Sequence, residues 1–107
     1  MKRNGLFVRL VRSAGLFALA LLLVAPAARA EVIKIGAILA ETGPAAFLGG
    51  PASRSLRMLA DEINAAGGIK GHTIELIIKD SAGSPEKAIS FAKQLIEEDR
   101  VFAIIGP

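Results

Sequence analysis

The chain has no cysteine, a single histidine, and no acidic residue before position 31. Without cysteine no disulfide can staple the fold, and no lipid can be joined to a thiol behind the leading apolar segment. One histidine without cysteines offers no zinc-ligand spacing, so His72, beside Gly71, reads as a solvated turn residue rather than a metal ligand. No apolar run reaches the ~20 residues a membrane-spanning helix needs. There is no Gly-x-Gly-x-x-Gly for a dinucleotide. Glu41-Thr42 stands where a phosphate-binding loop would need Gly-Lys-Ser/Thr.

What stands at the front instead is a basic start and an uncharged segment. Lys2, Arg3, Arg9 and Arg12 precede Ser13–Ala28, which is apolar until Pro26 breaks it. Ala28-Arg29-Ala30 puts small residues at both positions a signal peptidase inspects, so residues 1–30 read as a secretory signal cleaved after Ala30. No paired arginines precede the run, which favours the general export pathway over the twin-arginine route. The expected product is soluble, in a bacterial periplasm. Five of the thirteen basic residues and none of the ten acids lie in residues 1–30. Residues 31–107 therefore carry eight basic against ten acidic residues, a net −2 rather than the +3 of the whole chain. No basic patch survives cleavage, so nucleic acid is not an expected partner. Residues 31–107 form the second unit, small for a domain that has neither disulfide nor metal.

Glu31–Leu39 is β-branched and almost continuously apolar, the signature of a strand buried on both faces. A Gly- and Pro-rich loop is expected over Ala40–Pro51. Leu56, Leu59, Ala60 and Ile63 then recur at helical spacing, and Asn64–Gly68 ends that helix with glycines suited to a left-handed cap. Thr73–Asp80 reads as a second strand. Ser84-Pro85-Glu86 is a helix start, with Ser as N-cap and Pro at the first helical position. Ala88, Ile89, Ala92, Leu95 and Ile96 mark the expected buried face of the second helix, and Val101–Ile105 reads as a third buried strand. The β-α-β-α-β order predicts a three-layer α/β fold on a parallel sheet. Right-handed crossovers in opposite directions give strand order 2-1-3, with a helix on each face. Ligands of such sheets bind outside the carboxyl ends of the strands, where strands 1 and 3 diverge. The loop after the first strand, Ala40–Pro51, is then one expected wall of a site, and the loop that would follow Gly106-Pro107 the other.

Glu41 and Asp80 both follow strands at that end. Paired carboxylates can serve as acid and base, but no nucleophile or metal set accompanies them. Asp80 reads better as the residue fixing the loop before the second helix, because Asp accepts backbone N–H bonds readily. Phe47 and Leu48 are apolar residues in a Gly-rich loop, and they either pack on the domain or line an apolar pocket.

Five segments occur in the order found in one family: Ile35-Gly36-Ala37, Glu41–Gly49, Ile63–Gly71, Asp80 with Ser84–Ala88, and Val101–Pro107. Together they resemble periplasmic substrate-binding proteins for branched-chain amino acids, the type I binding proteins that serve ATP-driven importers. The resemblance covers all of residues 31–107. It implies the first part of the N-terminal lobe of a two-lobed, monomeric carrier that closes on leucine, isoleucine or valine and delivers it to an inner-membrane ABC permease. It implies no enzymatic activity and no cofactor. It also places Phe47, Leu48 and Gly49 at the ligand. In the family the position of Leu48 is often aromatic; here it is leucine. On this resemblance the chain is an N-terminal fragment, cut before most of the ligand site, and the same fold also serves extracytoplasmic amide or amino-acid sensors.

Overall fold

Val32–Leu39 forms the central strand, β1, of a three-stranded parallel sheet. It suits that place, since Gly36, Ala37 and Ile38 at its middle are buried. The computed structural model describes residues 31–107; the signal reading of residues 1–30 lies outside the described residues. β2 spans Thr73–Asp80 and pairs with β1 along its whole length, from Val32 against Thr73 to Leu39 against Asp80. β3 spans Ala103–Ile105 and pairs with Ile35–Ala37 on the other side of β1. The order is β2-β1-β3, the one expected for crossovers that run in opposite directions.

The helices take opposite faces. Alternation along a strand puts Gly36 on one side of the sheet and Ala37 on the other. On the Gly36 side lies helix α2, Pro85–Glu97, whose Leu95 is fully buried and seated so close that a Cβ on Gly36 would stand 2.9 Å from its Cδ1. Helix α1, Ala46–Ala65, lies on the other side, along Ile74 and Leu76 of β2. There the Asn64 side chain acts as a substitute strand. Its Nδ2 donates to the Ile74 carbonyl at 2.8 Å and its Oδ1 accepts the Ile74 N–H at 2.7 Å. β2 has no sheet neighbour beyond it among the described residues, so this amide satisfies backbone groups on an otherwise open edge.

α1 begins at Ala46, not after Pro51 as the glycines and proline suggest. The turn that launches it is made by Gly43, at φ +84, whose carbonyl accepts the Ala46 N–H. Only glycine fits there, since a Cβ would meet the Ala82 carbonyl at 2.6 Å. Gly49 and Gly50 are poor helix formers and Pro51 donates no hydrogen bond, yet the helix runs through them. Its end is as expected. The Gly68 N–H reaches the Ile63 carbonyl and the Gly67 N–H that of Asn64, a Schellman closure with both glycines at positive φ. α2 also starts where Ser84 and Pro85 predict. The Ser84 hydroxyl accepts the Lys87 N–H and donates to Glu86.

Two burial expectations need correction. On α2, Ala88, Ala92 and Leu95 turn toward the sheet, but Ile89 and Ile96 remain about 60 % exposed. They lie on the stripe beside the buried one, and a three-stranded sheet is too narrow to cover both. The third strand is shorter and more open than expected. Phe102 is 83 % exposed although its N–H is bonded to the Lys34 carbonyl, and both Ala103 and Ile105 are exposed. β3 has β1 as its sole strand neighbour among the described residues, and α1 covers the other flank of the sheet.

Candidate functional site

The carboxyl ends of β1 and β2 meet at one end of the sheet, where two loops leave it. The loop after β2 continues the ladder for one residue, Ser81 N–H to Leu39 carbonyl at 2.9 Å. It then turns tightly through Ala82 and Gly83, both at positive φ, closed by Ser84 N–H on the Ser81 carbonyl. The loop after β1 runs from Ala40 to Ala45 and lies against it. Between them opens a cavity of about 450 Å³. Ile38, Leu39 and Ala40 form its floor; Ala45, Leu48 and Gly49 form one wall. The β2–α2 loop and the first turn of α2, with Ser84, Pro85 and Ala88, form the other, and Pro107 sits at the margin. No charged side chain lines it. The hydroxyl-bearing residues among its walls are Ser81 and Ser84. Such a lining accepts an aliphatic group and offers hydroxyl and backbone groups for orientation.

The three residues singled out in the sequence fall differently. Leu48 and Gly49 line the cavity; Phe47, one residue away on the helix, is 73 % exposed and is not among the lining residues. All three stand on the first turn of α1 rather than in a loop. The wall supplied by Ser84, Pro85 and Ala88 was not singled out. The signal for it was topological, since both loops leave the same end of a parallel sheet.

The two carboxylates hold the walls rather than line them. Asp80 Oδ1 accepts the N–H groups of Glu41 (2.9 Å), Thr42 (3.2 Å) and Ala82 (2.9 Å), and its Oδ2 accepts the Thr42 hydroxyl at 2.6 Å. The hydroxyl of Thr42, then the N–H of Ala82, hold the Asp80 carboxyl below its ordinary value. Glu41 turns the other way, accepting the hydroxyl of buried Ser53 and pairing with Arg57 at 3.6 Å. The anticipated role of Asp80 in fixing the loop before α2 is met by its bond to Ala82, and the bonds to the β1–α1 loop come in addition. A lowered folded value means that Asp80 adds stability fully above the ordinary carboxylate range and loses it as pH falls through the lower folded value. Urea melts over a pH series are expected to show Asp80→Asn less stable than wild type near neutral pH, with the gap closing in acid. A gap independent of pH would contradict the ionised acceptor.

His72 lies at the opposite end of the sheet, beside Val32, Lys34, Arg100 and Phe102. It is less solvated than its turn suggests, because Nδ1 is buried without a hydrogen-bond partner.

A periplasmic binding protein family model matches residues 32–107. The chain belongs to the periplasmic binding protein family. Among relatives of this chain is an amino acid binding protein of Pseudomonas aeruginosa, 38 % identical over 79 residues, 74 % of this chain and 21 % of that one. A Leu/Ile/Val-binding protein of Rhizobium johnstonii is 37 % identical over 83 residues, 78 % of this chain and 22 % of that one. Among solved structures, the branched-chain amino acid transporter substrate binding protein of Streptococcus pneumoniae, in complex with isoleucine, superposes with a TM-score of 0.70. It is 38 % identical, over 72 % of this chain and 22 % of that one. The chain thus spans about a fifth of the length of the relatives it matches.

Proposed function

We propose that this chain supplies one face of the ligand cleft of an exported substrate-binding component for an ABC importer of branched-chain or related amino acids. Residues 1–30 act as the export signal, cut after Ala30, and residues 31–107 are the first part of an N-terminal lobe. The observation that carries this reading is the uncharged cavity at the carboxyl ends of β1 and β2, in a chain of the periplasmic binding protein family. Leu48 and Gly49 meet the aliphatic side chain of the ligand there, and Phe47 flanks them. The ligand is released to a membrane permease, and the chain acts as a binding module rather than an enzyme.

The test is calorimetric titration with leucine, isoleucine and valine. The exported protein, as the cell makes it, is expected to bind at least one of the three saturably. Residues 31–107 alone are expected to bind none, because one face of a cleft, both its walls included, cannot cover the 70–90 % of ligand surface that specific sites bury. Saturable leucine binding by residues 31–107 would overturn the shared-cleft reading. Failure of the exported protein to bind any of the three would overturn the branched-chain assignment.

A further inference from the structure

Asp80 is the last residue of β2, yet most of its hydrogen bonds go to the loop after β1. It holds Glu41 N–H, Thr42 N–H and Thr42 Oγ1 on that loop and Ala82 N–H on its own. One carboxylate therefore joins two loops that are distant in sequence. Those loops are the two walls of the cleft, Leu48 following the first and Ser84 ending the second. Asp80 itself is not among the residues that line the cavity. We infer that Asp80 is a positioning residue for the cleft, setting the wall that carries Leu48 against the wall that carries Ser84 and Pro85. The clamp rests on geometry; its consequence for binding rests on the carrier reading above.

The physics favours this role. The N–H groups of Glu41 and Thr42 leave the sheet at the end of β1 and need acceptors. A carboxylate is the strongest acceptor available for several N–H groups at once. The charged groups around it are arranged so as not to compete. Glu41 directs its own carboxylate to Ser53 and Arg57 on α1, so the loop is held to β2 through its main chain and to α1 through a side chain. A wall fixed before binding spares the ligand the cost of ordering it. The Asp80 carboxyl, held below its ordinary value by these hydrogen bonds, keeps the ionised form that accepts all four into more acid conditions than a free aspartate would.

The experiment compares wild type, Asp80→Ala and Asp80→Asn in the exported protein. Two readouts are needed: amide hydrogen exchange, and titration with leucine, isoleucine and valine. In Asp80→Ala the amides of Glu41 and Thr42 are expected to exchange about tenfold faster or more, while those of Gly36–Ile38 keep their protection. Affinity for whichever of the three amino acids binds is expected to fall about tenfold, chiefly through faster dissociation. Asp80→Asn keeps one acceptor oxygen and should restore part of both. Unchanged exchange at Glu41 and Thr42, or an equal rise along β1, would overturn the positioning role. So would unchanged affinity in Asp80→Ala beside a wild type that binds. If the wild type binds none of the three, the carrier reading fails, and the exchange result still decides the clamp.

Discussion

Gly49→Ala is expected to destabilise the protein by several kcal/mol, although alanine is the better helix former by about 1 kcal/mol. The reason is the approach of α1 to the end of β1. A Cβ on Gly49 would stand 2.0 Å from the Ala40 carbonyl oxygen, 2.4 Å from its carbon and 2.9 Å from its nitrogen. These are backbone atoms, so no rotamer change relieves the clash. Either the helix withdraws or the loop after β1 moves, and that loop is tied at the next residue to Asp80. Moving it breaks bonds to a carboxylate as well as disturbing packing. Gly49 is itself buried and carries an N–H bonded to the Ala45 carbonyl, so the first turn of α1 would shift with it.

Gly50 is the control within the same helix. A Cβ there would meet the Arg54 guanidinium at 3.6 Å, an ordinary contact. Gly50→Ala gains helix propensity and loses some of it to the proline that follows, whose ring crowds the preceding Cβ. Its net effect should stay within about 0.5 kcal/mol. Urea melts followed by far-UV circular dichroism read both. Gly49→Ala as stable as Gly50→Ala would mean that the helix stands off the strand, and that Leu48 is not held where the cleft has it.

The same glycine shows what sequence reasoning could and could not reach. The first two strands, the parallel pairing and the cap at Ser84 are legible, because each is set by local pattern or by the β-α-β alternation. The start of α1 was not. Gly43, Pro44, Gly49, Gly50 and Pro51 all read as punctuation, and three of them lie inside a helix. Gly49 is there for a contact with Ala40, nine positions back, and no periodicity reports such a contact. Likewise Asp80 was legible as an acceptor for its own loop, but its hold on Thr42 depends on the pairing of Leu39 with Asp80. Ile89 and Ile96 follow helical spacing as well as Leu95 does. Which apolar stripe is covered depends on the width of the sheet, and hydropathy does not encode that.

Leu95 is where the sheet and α2 depend most on one side chain. It is fully buried, and its Cγ, Cδ1 and Cδ2 all lie within 3.3 Å of where a Gly36 Cβ would be. Leu95→Ala is expected to cost about 2–5 kcal/mol, from lost burial and the cavity left behind. Gly36→Ala alone should cost about 1 kcal/mol or more, since its methyl meets the leucine branches. In the double variant the two should offset each other, because the methyl added at Gly36 enters the space the leucine leaves. The pair is therefore expected to be at least about 1 kcal/mol more stable than the sum of the single effects. A double-mutant cycle by urea melts measures that coupling directly. Strict additivity would mean that Leu95 is not seated on Gly36, and α2 would then lack the contact that holds the Ser84 wall of the cleft over β1.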